Sequence, residues 1–160
     1  MTIQVGDRIP STTLHHMTAS GPAELSSDEL FGGKTVALFA VPGAFTPTCS
    51  AKHLPSYVER AGELKAKGVD TIVCLAVNDA FVMGAWGEDR GVGDTVLMVS
   101  DSSADSTRAV GLDLDLAGQG FGLRSQRYSM LVRDGVVEAL HVEAAGAFEV
   151  SDAATLLGDL

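Results

Sequence analysis

Residues 35–50 read TVALFAVPGAFTPTCS, an apolar run followed by a polar loop. The run from Thr35 to Val41 is rich in β-branched and aromatic side chains, which predicts a buried central strand. A Pro-Gly pair ends that strand, and Pro47 favours a helix that begins near it with Thr46 or Thr48 as its cap. Functional sites of open α/β sheets favour this position, the carboxyl end of a strand.

The rest of the chain alternates strand and helix patterns. The first helix is expected to run to about Lys67, with a kink or break at Pro55. The pair Asp134-Gly135 between two apolar runs predicts a tight β-hairpin. Ser26 and Glu29 have the spacing of a capping box. Further strands are predicted at 69–77, 95–100, 127–133 and 136–143, and further helices at 80–90, at about 103–110, and from a cap at 151–152 to residue 160.

This order of elements predicts the architecture. Successive strand–helix–strand units imply right-handed crossovers and parallel strands, and the late hairpin adds antiparallel ones. We therefore expect an α/β fold with a mixed central sheet and helices on both faces. The length of 160 residues fits a single domain over residues 1–160.

Composition excludes several classes of function. Apolar residues make up 46% and charged residues 20%, which is typical of a globular protein. The net charge of −10 argues against partners that present phosphates, whether nucleic acid or an anionic membrane. No apolar run is long enough to span a bilayer, and the start lacks a signal-peptide pattern. With only two cysteines, these features predict a soluble protein of a reducing, cytoplasmic compartment.

Cys49 is the residue whose position points most directly to chemistry. It falls in the first turn of the predicted helix, where unpaired N–H groups and the helix dipole stabilise a thiolate. A small buried core residue is the alternative, since free cysteine often has that role. Polar neighbours favour the reactive thiol instead, and these are Thr46, Thr48, Ser50 and Lys52.

The pattern P-x-x-x-T-x-x-C, which runs here from Pro42 to Cys49, resembles the active-site motif of the peroxiredoxins. The string PGAFTPTCS followed by KHLP is similar to their type-II subfamily, the group related to the atypical mammalian peroxiredoxin five. Three further segments resemble that subfamily in the same order, at 77–86, 124–128 and 146–151. The resemblance spans nearly the whole chain. It implies a thioredoxin-like fold and a thiol-dependent peroxidase for hydrogen peroxide and organic hydroperoxides, without a bound cofactor.

The resemblance also implies a role for four residues. Cys49 matches the peroxidatic cysteine, which is oxidised to a sulfenic acid. Thr46 matches a threonine whose hydroxyl bonds the peroxide and the thiolate, and Pro42 matches a proline that shields the sulfur from solvent. Arg127 matches an arginine that approaches the thiolate from a distant strand. An arginine there can stabilise both the sulfur anion and the charge that develops on the leaving oxygen.

Cys74 is the only other thiol. It lies in the middle of an apolar strand, which favours a buried and inert core cysteine over a resolving one. Relatives that form an internal disulfide carry a resolving cysteine near the last loop, where Phe148 to Ser151 contain none. We therefore expect an external thiol, either glutathione with glutaredoxin or thioredoxin, to reduce the sulfenic acid. The resemblance further implies a homodimer that pairs through the loops around the active site.

The sequence fits several other chemistries less well. A dithiol oxidoreductase needs C-x-x-C, but Lys52 stands at the second cysteine position. A nucleophilic dyad of Cys49 with His53 is disfavoured, because the two residues of such dyads usually come from separate elements; the resemblance implies instead a packing or hydrogen-bonding role for His53. No zinc spacing or dinucleotide motif occurs. A peroxide-sensing switch or holdase without steady-state turnover remains the alternative function.

Four aromatic side chains are candidates either for the core or for an exposed apolar patch near the site. Core packing is the favoured expectation for each of them. They are Phe45, Phe81, Trp86 and Phe121.

Overall fold

The computed structural model describes residues 1–160 and is built on a seven-stranded mixed sheet. The strands of this sheet are β1 (Thr13–Thr18), β2 (Gly21–Ser26), β3 (Thr35–Val41), β4 (Thr71–Ala76), β5 (Leu97–Ser100), β8 (Tyr128–Arg133) and β9 (Val136–Val142). A separate two-stranded sheet pairs β6 (Asp113–Leu116) with β7 (Gly122–Ser125). The helices are α1 (Ser27–Phe31), α2 (Leu54–Glu59), α3 (Ala61–Ala66), α4 (Ala80–Asp89), α5 (Asp105–Ala109) and α6 (Ala153–Leu157).

The large sheet has the strand order β2-β1-β5-β4-β3-β8-β9. Its central strands β3, β4 and β5 are parallel, and β8 joins β3 in the antiparallel sense. All seven residues of β3 are buried because both of its faces are covered. Phe39 points into one apolar core with helices α2, α4 and α6, and Leu38 points into a second core on the opposite face. The predicted mixed sheet with helices on both faces is confirmed.

The hairpin of β8 and β9 forms where the Asp-Gly pair predicts it. Asp134 and Gly135 have φ angles of 48° and 78°, the left-handed values that a tight primed turn requires. The two strands keep a regular antiparallel register apart from one shift beside Leu131. This hairpin extends the parallel core of the sheet and carries the residue that precedes β8 to the carboxyl end of β3.

The N-terminal hairpin of β1 and β2 is an element that sequence patterns did not predict. Only Leu14 is buried in β1, so this strand lacks the apolar alternation by which a strand is detected. It nevertheless pairs with β2 along its whole length and bridges to β5 at His15. Ser26 caps the helix that follows as predicted, since its hydroxyl accepts from the Glu29 N–H at 3.1 Å. The Glu29 carboxylate accepts from the Ser26 hydroxyl at 3.0 Å rather than from the Ser26 N–H, so the second bond of a capping box is replaced by a contact between side chains.

The helical segment after β3 is less regular than a single helix with one kink. It begins at Pro47 as predicted, but residues Cys49–His53 form a π-helical turn. A second interruption separates α2 from α3 at Arg60. Pro55 has no N–H for either the α-helical or the π-helical bond, so the irregularity lies just before the proline. None of the helices is both long and apolar enough to cross a membrane.

Candidate active site

Cys49 lies in the first turn after the β3 loop and is fully buried. The loop is anchored where the Asn78 side chain accepts the N–H of Ala44 at 3.0 Å. Phe45 in the same loop has a φ of 64°, a left-handed conformation that costs free energy in a non-glycine residue. The cysteine is therefore held by a constrained loop at the carboxyl end of a central strand, as predicted from sequence.

Arg127 is brought to the sulfur by the sheet. Ala40, next to the end of β3, pairs with Tyr128 at the start of β8, so the preceding Arg127 lies beside the β3 loop. Its Nη2 donates to the Sγ of Cys49 at 3.0 Å. A guanidinium at this distance stabilises negative charge on sulfur and still has further N–H donors for an oxygen bound there. The two residues are 78 positions apart in sequence.

His53 is the second partner of Arg127. The arginine Nη1 lies 2.9 Å from His53 Nδ1, and His53 Nε2 lies 2.9 Å from the carbonyl oxygen of Ser151. Because guanidinium only donates and a carbonyl only accepts, His53 must carry its proton on Nε2. Burial, together with the charge of Arg127, lowers the pKa of His53 to about 3, so the ring is neutral near pH 7.

The hydrogen bonds of His53 bear on two predictions: a nucleophilic dyad with Cys49, and a packing or hydrogen-bonding role. Both ring nitrogens are occupied by Arg127 and Ser151, so neither is directed at the cysteine, in agreement with the rejection of a Cys–His dyad. The expected hydrogen-bonding role is present, but its partner was not foreseen. The spacing between Cys49 and His53 in the sequence could not show that the partner of His53 is Arg127, which lies 74 residues further along the chain.

Thr46 and Pro42 lie in the loop between β3 and Cys49, and neither forms a hydrogen bond to Cys49. The Thr46 hydroxyl donates to the carbonyl of Gly43 at 2.7 Å, which leaves its oxygen lone pairs as acceptors. Pro42 is half-buried and lines a cavity of about 170 Å³ together with Thr48, Arg127 and the segment 144–147. Arg127 thus contacts this cavity, whereas the fully buried Cys49 does not line it.

Cys74 lies in the middle of β4 and is also fully buried. Burial raises the pKa of its thiol well above the ordinary value, and the nearby Cys49 adds to the effect. Both cysteines are free thiols. A thiol that stays protonated is a poor nucleophile, which agrees with the expectation of an inert core cysteine.

The four aromatic side chains divide into two groups. Trp86 is fully buried in the core, and its indole N–H donates to the Ser50 hydroxyl at 3.0 Å. Phe45, Phe81 and Phe121 are 51%, 66% and 51% exposed, so the expectation of core packing is wrong for these three. Phe45 and Phe121 lie in loops, and Phe81 lies in the first turn of α4.

No three His, Cys, Asp or Glu side chains cluster in a way that could hold a metal ion. The mixed sheet and the buried cysteine–arginine pair define a thiol enzyme of the thioredoxin-like class.

The model of the Redoxin family matches residues 4–157. Peroxiredoxin-2E-2, chloroplastic, from Oryza sativa subsp. japonica is 52% identical over 98% of this chain and 72% of its own length. Reduced Prx3 from Vibrio vulnificus, crystallised in complex with H2O2, is 53% identical with a TM-score of 0.94, covering 98% of each chain. Peroxiredoxin 5 from Alvinella pompejana is 32% identical with a TM-score of 0.88, covering 98% of this chain and 97% of its own.

The chain therefore belongs to the redoxin family and, within it, to the type-II peroxiredoxins. It is a thiol-dependent peroxidase, an oxidoreductase that reduces peroxides at the expense of thiols.

Proposed function

We propose that Cys49 is the peroxidatic nucleophile and that Arg127, Thr46 and Pro42 assist it. The observation that carries this assignment is the hydrogen bond of 3.0 Å from Arg127 to the Cys49 sulfur. Arg127 stabilises the thiolate and the departing oxygen, and Thr46 accepts a hydrogen bond from the peroxide. Pro42 limits the access of water to the sulfur.

The reaction is a displacement at oxygen. The Cys49 thiolate attacks one oxygen of the hydroperoxide ROOH, an S–O bond forms, and the O–O bond breaks. The leaving alkoxide or hydroxide takes a proton and departs as ROH, and Cys49 becomes a sulfenic acid. The sulfur has lost two electrons and the peroxide has gained them.

An external thiol completes the cycle in this proposal. The donor thiol displaces water from the sulfenic acid and forms a mixed disulfide with Cys49. A second donor thiol then releases the Cys49 thiolate and leaves with the first as a disulfide. Cys74 takes no part because its buried thiol stays protonated. The donor is glutathione with glutaredoxin, or thioredoxin.

The decisive experiment measures hydrogen peroxide consumption by the purified protein with each donor system in parallel. We expect sustained turnover with at least one donor, which also names the reductant. C49S should show none, and its thermal stability should stay close to wild type because the smaller serine hydroxyl fits the site and can accept a hydrogen bond from Arg127. Sustained turnover by C49S would exclude the assigned nucleophile.

The same experiment distinguishes the enzyme from a sensor or holdase. A sensor would consume one equivalent of peroxide, accumulate the sulfenic acid at Cys49, and then stop despite excess donor thiol. That outcome would replace the proposed thiol cycle with a switch. Trapping the sulfenic acid with a dimedone probe and mass spectrometry shows which cysteine carries it.

We also propose that the protein pairs as a homodimer through its exposed phenylalanines. Arg124 connects the segments that carry two of them: its Nε donates to the carbonyl of Phe121 at 2.8 Å, and its Nη1 donates to the carbonyl of Val77, close before Phe81, at 3.3 Å. Phe45 lies on the adjoining β3 loop, which Asn78 anchors. Exposed aromatic patches beside an active site are typical of interfaces.

Light scattering tests the dimer with a matched pair of variants. F81E places a charge in the patch and should convert a mass of two chains into a mass of one. V5E adds the same charge at a residue that is 62% exposed beside the Asp134-Gly135 turn, at the opposite end of β8 from Arg127. It should leave the mass at two chains. A wild-type mass of one chain at micromolar concentration would contradict the proposal.

Finally, we infer that the protein works in a reducing, cytoplasmic compartment. Two free buried cysteines and a cycle that consumes thiols both fit such a compartment. Two similar plant proteins are named chloroplastic, so fractionation of the native cells provides the test. Recovery in the soluble cytoplasmic fraction is expected, and recovery from the medium or the envelope would contradict the inference.

A further inference from the structure

Glu143 is a buried carboxylate that no lysine or arginine neutralises. It is only 8% exposed, and none of the ion pairs in the structure includes it. A buried charge of this kind is costly unless hydrogen bonds replace its water. Glu143 lies just past the end of β9, on the segment that faces the cavity beside Arg127.

The hydrogen bonds to Glu143 all come from the turn at 149–151. The Glu149 N–H bonds both carboxylate oxygens at 3.0 and 2.9 Å, and the Val150 and Ser151 N–H groups bond Oε2 at 2.9 Å each. The Ser151 hydroxyl adds a fourth donor to Oε2 at 2.7 Å. Burial alone would raise the pKa of Glu143, but these bonds hold it below its ordinary value. The carboxylate therefore shapes the turn.

The carbonyl of Ser151 connects this turn to the active site. It accepts from His53 Nε2 and from the Tyr57 hydroxyl, each at 2.9 Å. That bond keeps the His53 proton on Nε2 and leaves Nδ1 as the acceptor for Arg127 Nη1. With one arm of the guanidinium occupied by His53, the other arm is directed at the Cys49 sulfur.

We propose that Glu143 is a positioning residue for the peroxide reaction, acting through the Ser151 carbonyl and His53 on Arg127. It touches neither the sulfur nor the peroxide. Its carboxylate fixes the carbonyl, the carbonyl fixes the histidine, and the histidine fixes the arginine. This inference rests on the roles proposed above for Cys49 and Arg127.

The test separates the oxidation of Cys49 from its reduction. The single tryptophan, Trp86, bonds the residue next to Cys49, so its fluorescence can follow oxidation by hydrogen peroxide in a stopped-flow instrument. We expect E143A to lower the second-order rate constant of oxidation on the order of tenfold, since small misplacements of reacting groups have effects of this size or larger. Reduction of the sulfenic acid by a given thiol should change less than about twofold, because that step does not need Arg127 on a peroxide oxygen.

Rescue by E143Q is the second part of the test. The glutamine side chain has the same shape and keeps one oxygen for the bonds that Oε2 accepts, so most of the oxidation rate should return. If E143A does not fold, E143D replaces it, since its shorter side chain withdraws the carboxylate from the turn and keeps the charge.

A double-mutant cycle with R127A decides between positioning and general structural support. If Glu143 acts through Arg127, then E143A in the R127A background should not slow oxidation further. An equal loss in both backgrounds, or a wild-type oxidation rate in E143A, would overturn the inference. R127A alone at the wild-type rate would instead overturn the proposed role of the arginine, so the two failures are distinguishable.

Discussion

At the scale of single residues, the site depends on the forked shape of the arginine side chain. Arg127 uses Nη2 for the Cys49 sulfur and Nη1 for His53. The guanidinium group also lies over the ring of Phe148, with its carbon 6.0 Å from the ring centroid. A lysine carries its charge at one point and cannot hold both partners in one plane.

The variant R127K should therefore oxidise slowly. We expect the rate constant of Cys49 with hydrogen peroxide to fall about 100-fold, the size of effect that follows from losing one aligned donor to a developing anion. Stopped-flow fluorescence measures it. R133K is the matched control, because Arg133 lies at the far end of β8, the strand that Arg127 precedes, in a surface ion pair with Glu138. It should keep the wild-type rate, and an equal loss in both variants would refute the role of the fork.

Substitution of Cys74, unlike that of Arg127, should leave the peroxidase activity largely unchanged. C74A should keep turnover within about twofold of wild type when an external thiol is supplied, because burial raises the pKa of the Cys74 thiol and a protonated thiol is a poor nucleophile. The variant leaves a small cavity in the core and should lose about 1 kcal/mol of unfolding free energy. Peroxide assays and urea denaturation measure the two quantities. Arrest of C74A at the sulfenic acid would show that Cys74 resolves the intermediate.

At the scale of elements, helix α4 holds the π-helical turn that carries Cys49. Since Pro55 cannot donate an N–H, the carbonyl of Ser50 lacks the partner that a π-helical bond would supply. Arg90 Nη1 lies 3.5 Å from that carbonyl, and Trp86 donates to the Ser50 hydroxyl at 3.0 Å. The irregular turn is thus supported from outside by a neighbouring helix.

Removal of this support should be measurable. S50A leaves the fully buried indole N–H of Trp86 without its acceptor, which should cost about 1–3 kcal/mol of unfolding free energy. Urea denaturation measures the loss, and the emission maximum of the single tryptophan should shift. S102A, at an exposed serine, should change neither quantity. An S50A protein as stable as wild type would show that the bond contributes nothing.

At the scale of the whole molecule, the buried histidine links stability to pH. In the folded protein the pKa of His53 is about 3, whereas the ordinary value in an unfolded chain is 6.5. Below pH 6.5 the unfolded state therefore binds a proton that the folded state does not. Stability from this group is fully present above pH 6.5 and is lost as the pH falls towards 3. The lowered pKa of Glu143 acts in the same direction at more acidic pH.

The expected slope is about 1.4 kcal/mol of unfolding free energy per pH unit for one such proton. Urea denaturation of the wild type and H53N between pH 6.5 and 4.5 isolates it. The variant should be less stable at neutral pH, because it loses native contacts of His53. As the pH falls, its free energy of unfolding should decrease less steeply than that of the wild type, by about 1.4 kcal/mol less per pH unit. Parallel pH dependences for the two proteins would show that His53 is protonated in the folded state.

The sequence by itself determined the class of fold and singled out Cys49 as the candidate nucleophile. Both follow from short-range sequence patterns: an apolar run, a Pro-Gly pair that ends the strand, and a cysteine in the first helical turn after Pro47. The Asp134-Gly135 hairpin is also local, because turn chemistry needs only neighbouring residues. The place of Arg127 followed from a family resemblance rather than from spacing.

Only the tertiary structure decided the surroundings of that cysteine. The links from Arg127 to His53, from His53 to Ser151, and from Ser151 to Glu143 join three distant segments of the chain. The same holds for the weakly patterned strand β1, which exists because β2 and β5 pair with it. Hydrogen bonds between segments depend on how the sheet brings their ends together, and no local periodicity encodes that meeting.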